Sequence, residues 1–127
     1  MKIVLRKVFM HHDISIGEIQ RYQRDIWELH KHEWTPMKPQ FAKDFILYMI
    51  EEIGETVAIV KKKGHKKIME DPKTREHFIE EMGDILMYYA DVLNRFEITP
   101  AEFAKIYRKK IQSNLARDFH QDHENAK

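Results

Sequence analysis

Two long helical periods occupy the middle of the chain, and each sets acids on its apolar face. The stretch Ile50-Glu51-Glu52-Ile53-Gly54-Glu55 returns almost unchanged as Ile79-Glu80-Glu81-Met82-Gly83-Asp84. At the helical rotation per residue, Phe41, Phe45, Tyr48, Met49, Thr56 and Ile59 fall within about 60° of Glu52, with Glu55 about 60° to one side. The sector around Glu81 holds Phe78, Ile85, Tyr88, Val92 and Phe96, with Asp84 placed as Glu55 is. Glu51 and Glu80 point away to the flanks.

Acids three apart on a helix are usually solvated, but these have Phe, Tyr, Met and Ile as neighbours. An unpaired carboxylate in such surroundings costs several kcal/mol, and like charges one turn apart add a few tenths. Two helices carrying such pairs would gather four carboxylates at one place, and a cation must hold them. Only Arg95 among the arginines and lysines falls near these sectors. All-oxygen ligation without His or Cys favours a hard ion, Mg²⁺ or Mn²⁺, over zinc. Gly54 and Gly83 lie on the backs of the two helices, where a glycine costs about 1 kcal/mol relative to alanine. Their placement predicts another backbone approaching closely there. Ile50, Ile53 and Val57 also face away from the acids, as in a bundle interior or a subunit interface.

The flanking signals complete an all-α, four-helix bundle-like domain whose central pair of long helices runs antiparallel. Ser15 and Glu18 form a capping box before Ile19, Tyr22, Ile26 and Leu29, predicting a first helix to about Lys31. Trp34 to Pro39 break it. The second helix is expected from about Gln40 to Lys63, with Gly64 closing it and Lys61 to Lys63 in its last turn. A polar connector follows, and Asp71-Pro72 open a third helix to about Phe96. Thr99 and Glu102 are a second capping box, opening a fourth helix to about Leu115. Domain boundaries follow: residues 1–14 an arm, with a short strand or extended segment in its first ten residues, residues 15–117 the helical domain, residues 118–127 a flexible tail.

Composition narrows the classes of function. A length of 127 residues suits one domain. A net charge of +1 gives no general pull toward nucleic acid polymers or membranes. No apolar run approaches the roughly 20 residues of a membrane span. The absence of cysteine excludes disulfides and thiolate metal sites and fits the cytoplasm.

Glu51-Glu52-x-x-Glu55 followed by Glu81-x-x-Asp84, with 25 residues between Glu55 and Glu81, resembles the EExxE…ExxD signature of the MazG-like all-α nucleoside triphosphate pyrophosphohydrolases. The resemblance covers roughly residues 15 to 118. It implies Mg²⁺-dependent hydrolysis of a nucleoside triphosphate between the α and β phosphates, giving the monophosphate and pyrophosphate, with nucleotide-pool house-cleaning as the role. Glu52, Glu55, Glu81 and Asp84 match the family's metal ligands, and Glu52 or Glu55 the catalytic base acting through water. Tyr88, Lys110 and Asn114 resemble substrate contacts. Trp34, with Trp27 as competitor, resembles an aromatic that stacks on the base. A single copy of the motif pair implies a homodimer or a dimer of dimers. The first ten residues are not part of the family's core.

Three other readings compete. Phosphoribosyl-ATP pyrophosphohydrolase has similar acids and chemistry. A di-iron carboxylate bundle needs a Glu-x-x-His pair on each of two helices, which the eight histidines do not supply at helical sites. The third is no enzyme, but a helical interaction module or a degenerate relative that binds nucleotide without cleaving it; acids on an apolar face count against a pure scaffold, which gains nothing from them.

Overall fold

The computed structural model describes residues 12–117. They form two compact units, one ending at Glu97 and one beginning at Ile98. The first carries α1 (Ile16–His30), α2 (Ala42–Lys63), α3 (His65–Glu70) and α4 (Pro72–Arg95), and the second carries α5 (Pro100–Ala116). No strand occurs among the described residues. The all-α expectation holds. The extended reading of residues 1–10 and the tail reading of residues 118–127 lie outside the described residues.

The helix starts follow the sequence signals. The Glu18 amide donates to Ser15 Oγ at 3.1 Å, and the Ser15 amide donates to Glu18 Oε1 at 3.3 Å. At α4, the Thr74 amide and hydroxyl donate to Asp71 Oδ2 at 3.0 and 2.6 Å. These bonds stabilise the carboxylate and hold the Asp71 pKa below its usual value. At α5, the Glu102 amide donates to Thr99 Oγ1 at 3.1 Å. Gly64 closes α2 with φ 83°, a conformation that disfavours residues with a Cβ. Its amide donates to the Val60 carbonyl at 2.9 Å.

The connector after Gly64 is not wholly irregular, because residues 65–70 form α3. Six residues carry little helical signal in sequence. Ile68 is buried, and α3 packs on α4 and α2.

α2 and α4 pack most extensively. Glu52 meets Glu81 near the middle of both, whereas Phe45 lies under Arg95. Contacts therefore descend along α2 as they ascend along α4, so the long pair is antiparallel.

α1 packs on α4 through a face the apolar spacing does not mark. Ile19, Tyr22 and Ile26 are only half-buried and Leu29 is exposed, while Gln20 and Gln23 are buried. For Gln20 the reason lies in α4, which offers Asn94 there, and buried polar groups require polar partners. Gln20 Nε2 and an Arg24 guanidinium nitrogen donate to Asn94 Oδ1 at 3.2 and 3.0 Å, and Asn94 Nδ2 donates to the Gln20 carbonyl at 2.9 Å.

The backs of the long helices are open. Ile50, Ile53 and Val57 on α2 and Ile79, Met82 and Leu86 on α4 are exposed. No described atom lies within 4 Å of where a Cβ would stand at Gly54 or Gly83. Close backbone approach within the described chain is therefore not the reason for either glycine. No described helix is long and apolar enough to cross a membrane.

Candidate functional site

Glu52, Glu55 and Glu81 each bring a carboxylate oxygen within 4.8 Å of the other two. The helical period places Glu52 and Glu55 one turn apart on α2, and the antiparallel register brings Glu81 of α4 opposite them. Glu52, Glu81 and Asp84 are half-buried, while Glu55 lies at the exposed rim. Asp84 stands outside the tight group, though its charge acts on Glu52. Glu51 and Glu80 are exposed, as the helical angles require.

The group is electrostatically incomplete. Glu52 Oε2 and Glu81 Oε2 are closed off from solvent without a hydrogen-bond partner among the described residues. None of the four acids forms an ion pair with a described lysine or arginine. Burial, followed by the Glu55 charge, a hydrogen bond with the Glu55 side chain, and the charges of Asp84 and Glu81, raises the Glu52 pKa from 4.5 to about 7. The raised Glu52 pKa means that crowded negative charge, with no cation present, favours the protonated carboxyl. Orphaned oxygens and an all-carboxylate donor set fit a hard divalent ion such as Mg²⁺ or Mn²⁺.

Arg95, the one cation that the sequence places near the acids, is engaged elsewhere. Its Nε donates to Asp91 Oδ1 at 2.5 Å, and another guanidinium nitrogen donates to the Pro36 carbonyl at 2.6 Å. The guanidinium carbon lies 3.6 Å from the Phe45 ring centroid. Arg95 therefore fixes the connector between α1 and α2 instead of neutralising the acids.

That connector walls a cavity of about 320 Å³ lined by Gln23, Trp27, Trp34, Phe45, Tyr48 and Tyr88, among others. The Trp27 indole donates to the Thr35 carbonyl at 2.8 Å. Trp34 stacks on His30 at 4.6 Å between ring centroids and keeps 42% of its surface exposed. Both tryptophans therefore face the same cavity. Tyr48 and Tyr88 join the cavity to the acids, since each lies one helical turn from Glu52 or Asp84. Their ring centroids are 6.1 Å apart. Burial, then the charges of Glu52 and Asp84, raises the Tyr88 pKa, so its hydroxyl stays protonated and able to donate.

Lys110 and Asn114 belong to the second unit, on α5, with Lys110 exposed and Asn114 half-buried. Gln23 was not marked by sequence. The available signal was the face shared by Gln20, Gln23 and Trp27, spaced i, i+3, i+7.

Glu52, Glu55 and Glu81 could hold a metal ion, and the aromatic cavity lies beside them. The MazG nucleotide pyrophosphohydrolase domain model matches residues 40–114. The chain belongs to the MazG nucleotide pyrophosphohydrolase family. No curated protein and no solved structure gives a significant match.

Proposed function

We propose that the protein hydrolyses nucleoside triphosphates between the α and β phosphates, releasing the monophosphate and pyrophosphate, with Mg²⁺ as cofactor and Mn²⁺ as a substitute. The carrying observation is the pair of orphaned oxygens, Glu52 Oε2 and Glu81 Oε2, in a three-carboxylate group beside an aromatic cavity. A scaffold gains nothing from such atoms, which supports an enzyme over an interaction module.

Glu52, Glu55, Glu81 and Asp84 would hold the ion, which when bound supplies positive charge to the phosphate oxygens and lowers the pKa of water. Glu55, at the exposed rim, and Glu52 are the candidates to accept the proton of the attacking water. In this reading the Tyr88 hydroxyl donates toward the substrate and Trp34, with Trp27 as the competitor, contacts the base, supported by their shared lining of one cavity. Lys110 and Asn114 remain candidate contacts to phosphate and sugar. The role we propose is removal of unwanted nucleotides in the cytoplasm.

Self-association as a homodimer or a dimer of dimers belongs to the same reading. Its support is the exposed apolar back of α2 and α4, with two glycines whose surroundings are open. Ile53→Asp with Val57→Asp should shift the protein to a smaller species in sedimentation, whereas unchanged sedimentation removes this face as the interface.

Pyrophosphate release from a panel of triphosphates with Mg²⁺ tests the activity. Glu52→Gln and Asp84→Asn should each abolish release with helical circular dichroism intact. Full turnover in both variants removes the four-acid site. Phosphoribosyl-ATP joins the panel, and its selective hydrolysis would reassign the substrate.

A further inference from the structure

Resting on the proposed nucleotide site, we infer that Gln23 reads the hydrogen-bonding edge of the base and sets base specificity. Gln23 is 6% exposed and lies in the wall of the aromatic cavity. Its Oε1 is closed off from solvent, and no described group donates to it. Gln20, one turn earlier on α1, donates its Nε2 to Asn94 Oδ1 and is not among the residues lining the cavity. Asp91 and Arg95, which share the cavity wall with Gln23, are committed to each other.

The unmet Gln23 acceptor stands in the wall of the cavity, where a ligand can answer it. A leucine of similar reach would fill the same wall without an unmet acceptor. A carboxamide presents an acceptor and two donors in one plane. It is complementary to a base edge that sets a donor beside an acceptor, and turning the amide over exchanges their order. The flanking aromatic rings supply faces on which such a base can stack. Gln23 therefore supplies hydrogen-bonding discrimination, and the aromatic rings supply base affinity regardless of sequence. A site built to hydrogen-bond a substrate group discriminates against an analogue lacking it, since the site is then left unpaired.

The test compares the full-length protein with Gln23→Leu, and with Gln23→Met as a second apolar variant should leucine fold poorly. Steady-state turnover with Mg²⁺ is measured on the four deoxynucleoside triphosphates and on 2-deoxyribose 5-triphosphate, which carries no base. Tm is recorded without nucleotide. In the variants, kcat/KM for the preferred base should fall about tenfold or more and the spread among bases should narrow. Turnover of the base-free triphosphate should stay within about twofold, and the nucleotide-free Tm should not fall. An equal loss on base-bearing and base-free substrates, or an unchanged spread among bases, overturns the role of Gln23 and leaves the activity standing. Wild-type protein that neither cleaves nor is thermally stabilised by any of the triphosphates removes the nucleotide site and this inference together.

Discussion

Two clusters of buried charge lie along the same pair of helices, and they are built in opposite ways. At one end, Asp91 and Arg95 are each 1% exposed, and each is answered within the chain. Asp91 accepts from Arg95, which donates on to Pro36 and stacks on Phe45. Nearer the middle of α2 and α4, Glu52, Glu55, Glu81 and Asp84 have no answering cation among the described residues, and two of their oxygens are enclosed without a described partner. Such charge is tolerated when paired and is strongly unfavourable otherwise. The first cluster is therefore structure, closing the connector over the cavity. The second leaves a place for a ligand.

The contrast can be broken most severely by turnover. Glu81→Gln should reduce pyrophosphate release to background, because it removes a donor from the unanswered cluster. The metal-free variant should unfold no earlier than the wild type, since one source of repulsion is gone. Activity near the wild-type level would show that the cluster is not the reaction centre.

Asp91→Ala attacks the answered cluster and should behave in the reverse sense. Leaving Arg95 buried without its carboxylate should cost about 3 to 5 kcal/mol in denaturant unfolding. Mg²⁺ should not remove the deficit relative to the wild type. A loss below about 1 kcal/mol would show that the pair is not the lock on the connector.

The pH dependence separates the clusters further. Glu52 binds its proton more tightly in the folded protein, with a pKa of about 7 against 4.5 for the ordinary side chain. Where the folded state holds more protons, stability falls as pH rises. Through this group the metal-free protein should lose stability between about pH 4.5 and pH 7 and level off above, as thermal melts would record. Mn²⁺ should restore stability most above pH 7, where it competes with fewer protons. Glu52→Gln should flatten this part of the profile, and an unaltered slope would assign the effect to other groups.

The smallest effect concerns the open backs. With no described atom within 4 Å of the site of a Cβ, Gly83→Ala should gain up to about 1 kcal/mol of helix stability if the chain stands alone. A loss of stability that grows with protein concentration would instead place another chain against that face.

The convergence of Glu52, Glu55 and Glu81 was legible because carboxylates on a fixed helical period fall on computable faces. The all-α architecture was legible for the same reason, and the caps at Ser15, Asp71 and Thr99 mark helix starts through local chemistry. Other features depend on long-range partners. α3 rests on a single buried Ile68 in a polar stretch. Gln20 is buried because α4 presents Asn94 to it, which an apolar pattern cannot register. Arg95 stood near the acids in sequence, and only the packing assigns it to Asp91 and Pro36.

The most direct measurement is titration calorimetry with Mn²⁺ near pH 7, repeated in buffers of different ionisation enthalpy. The cluster should take up the ion saturably and release protons on binding, since Glu52, with a pKa of about 7, is partly protonated there, and Glu52→Gln with Glu81→Gln should abolish both signals. Wild-type protein that takes up no divalent ion, with or without a nucleoside triphosphate present, would contradict the account.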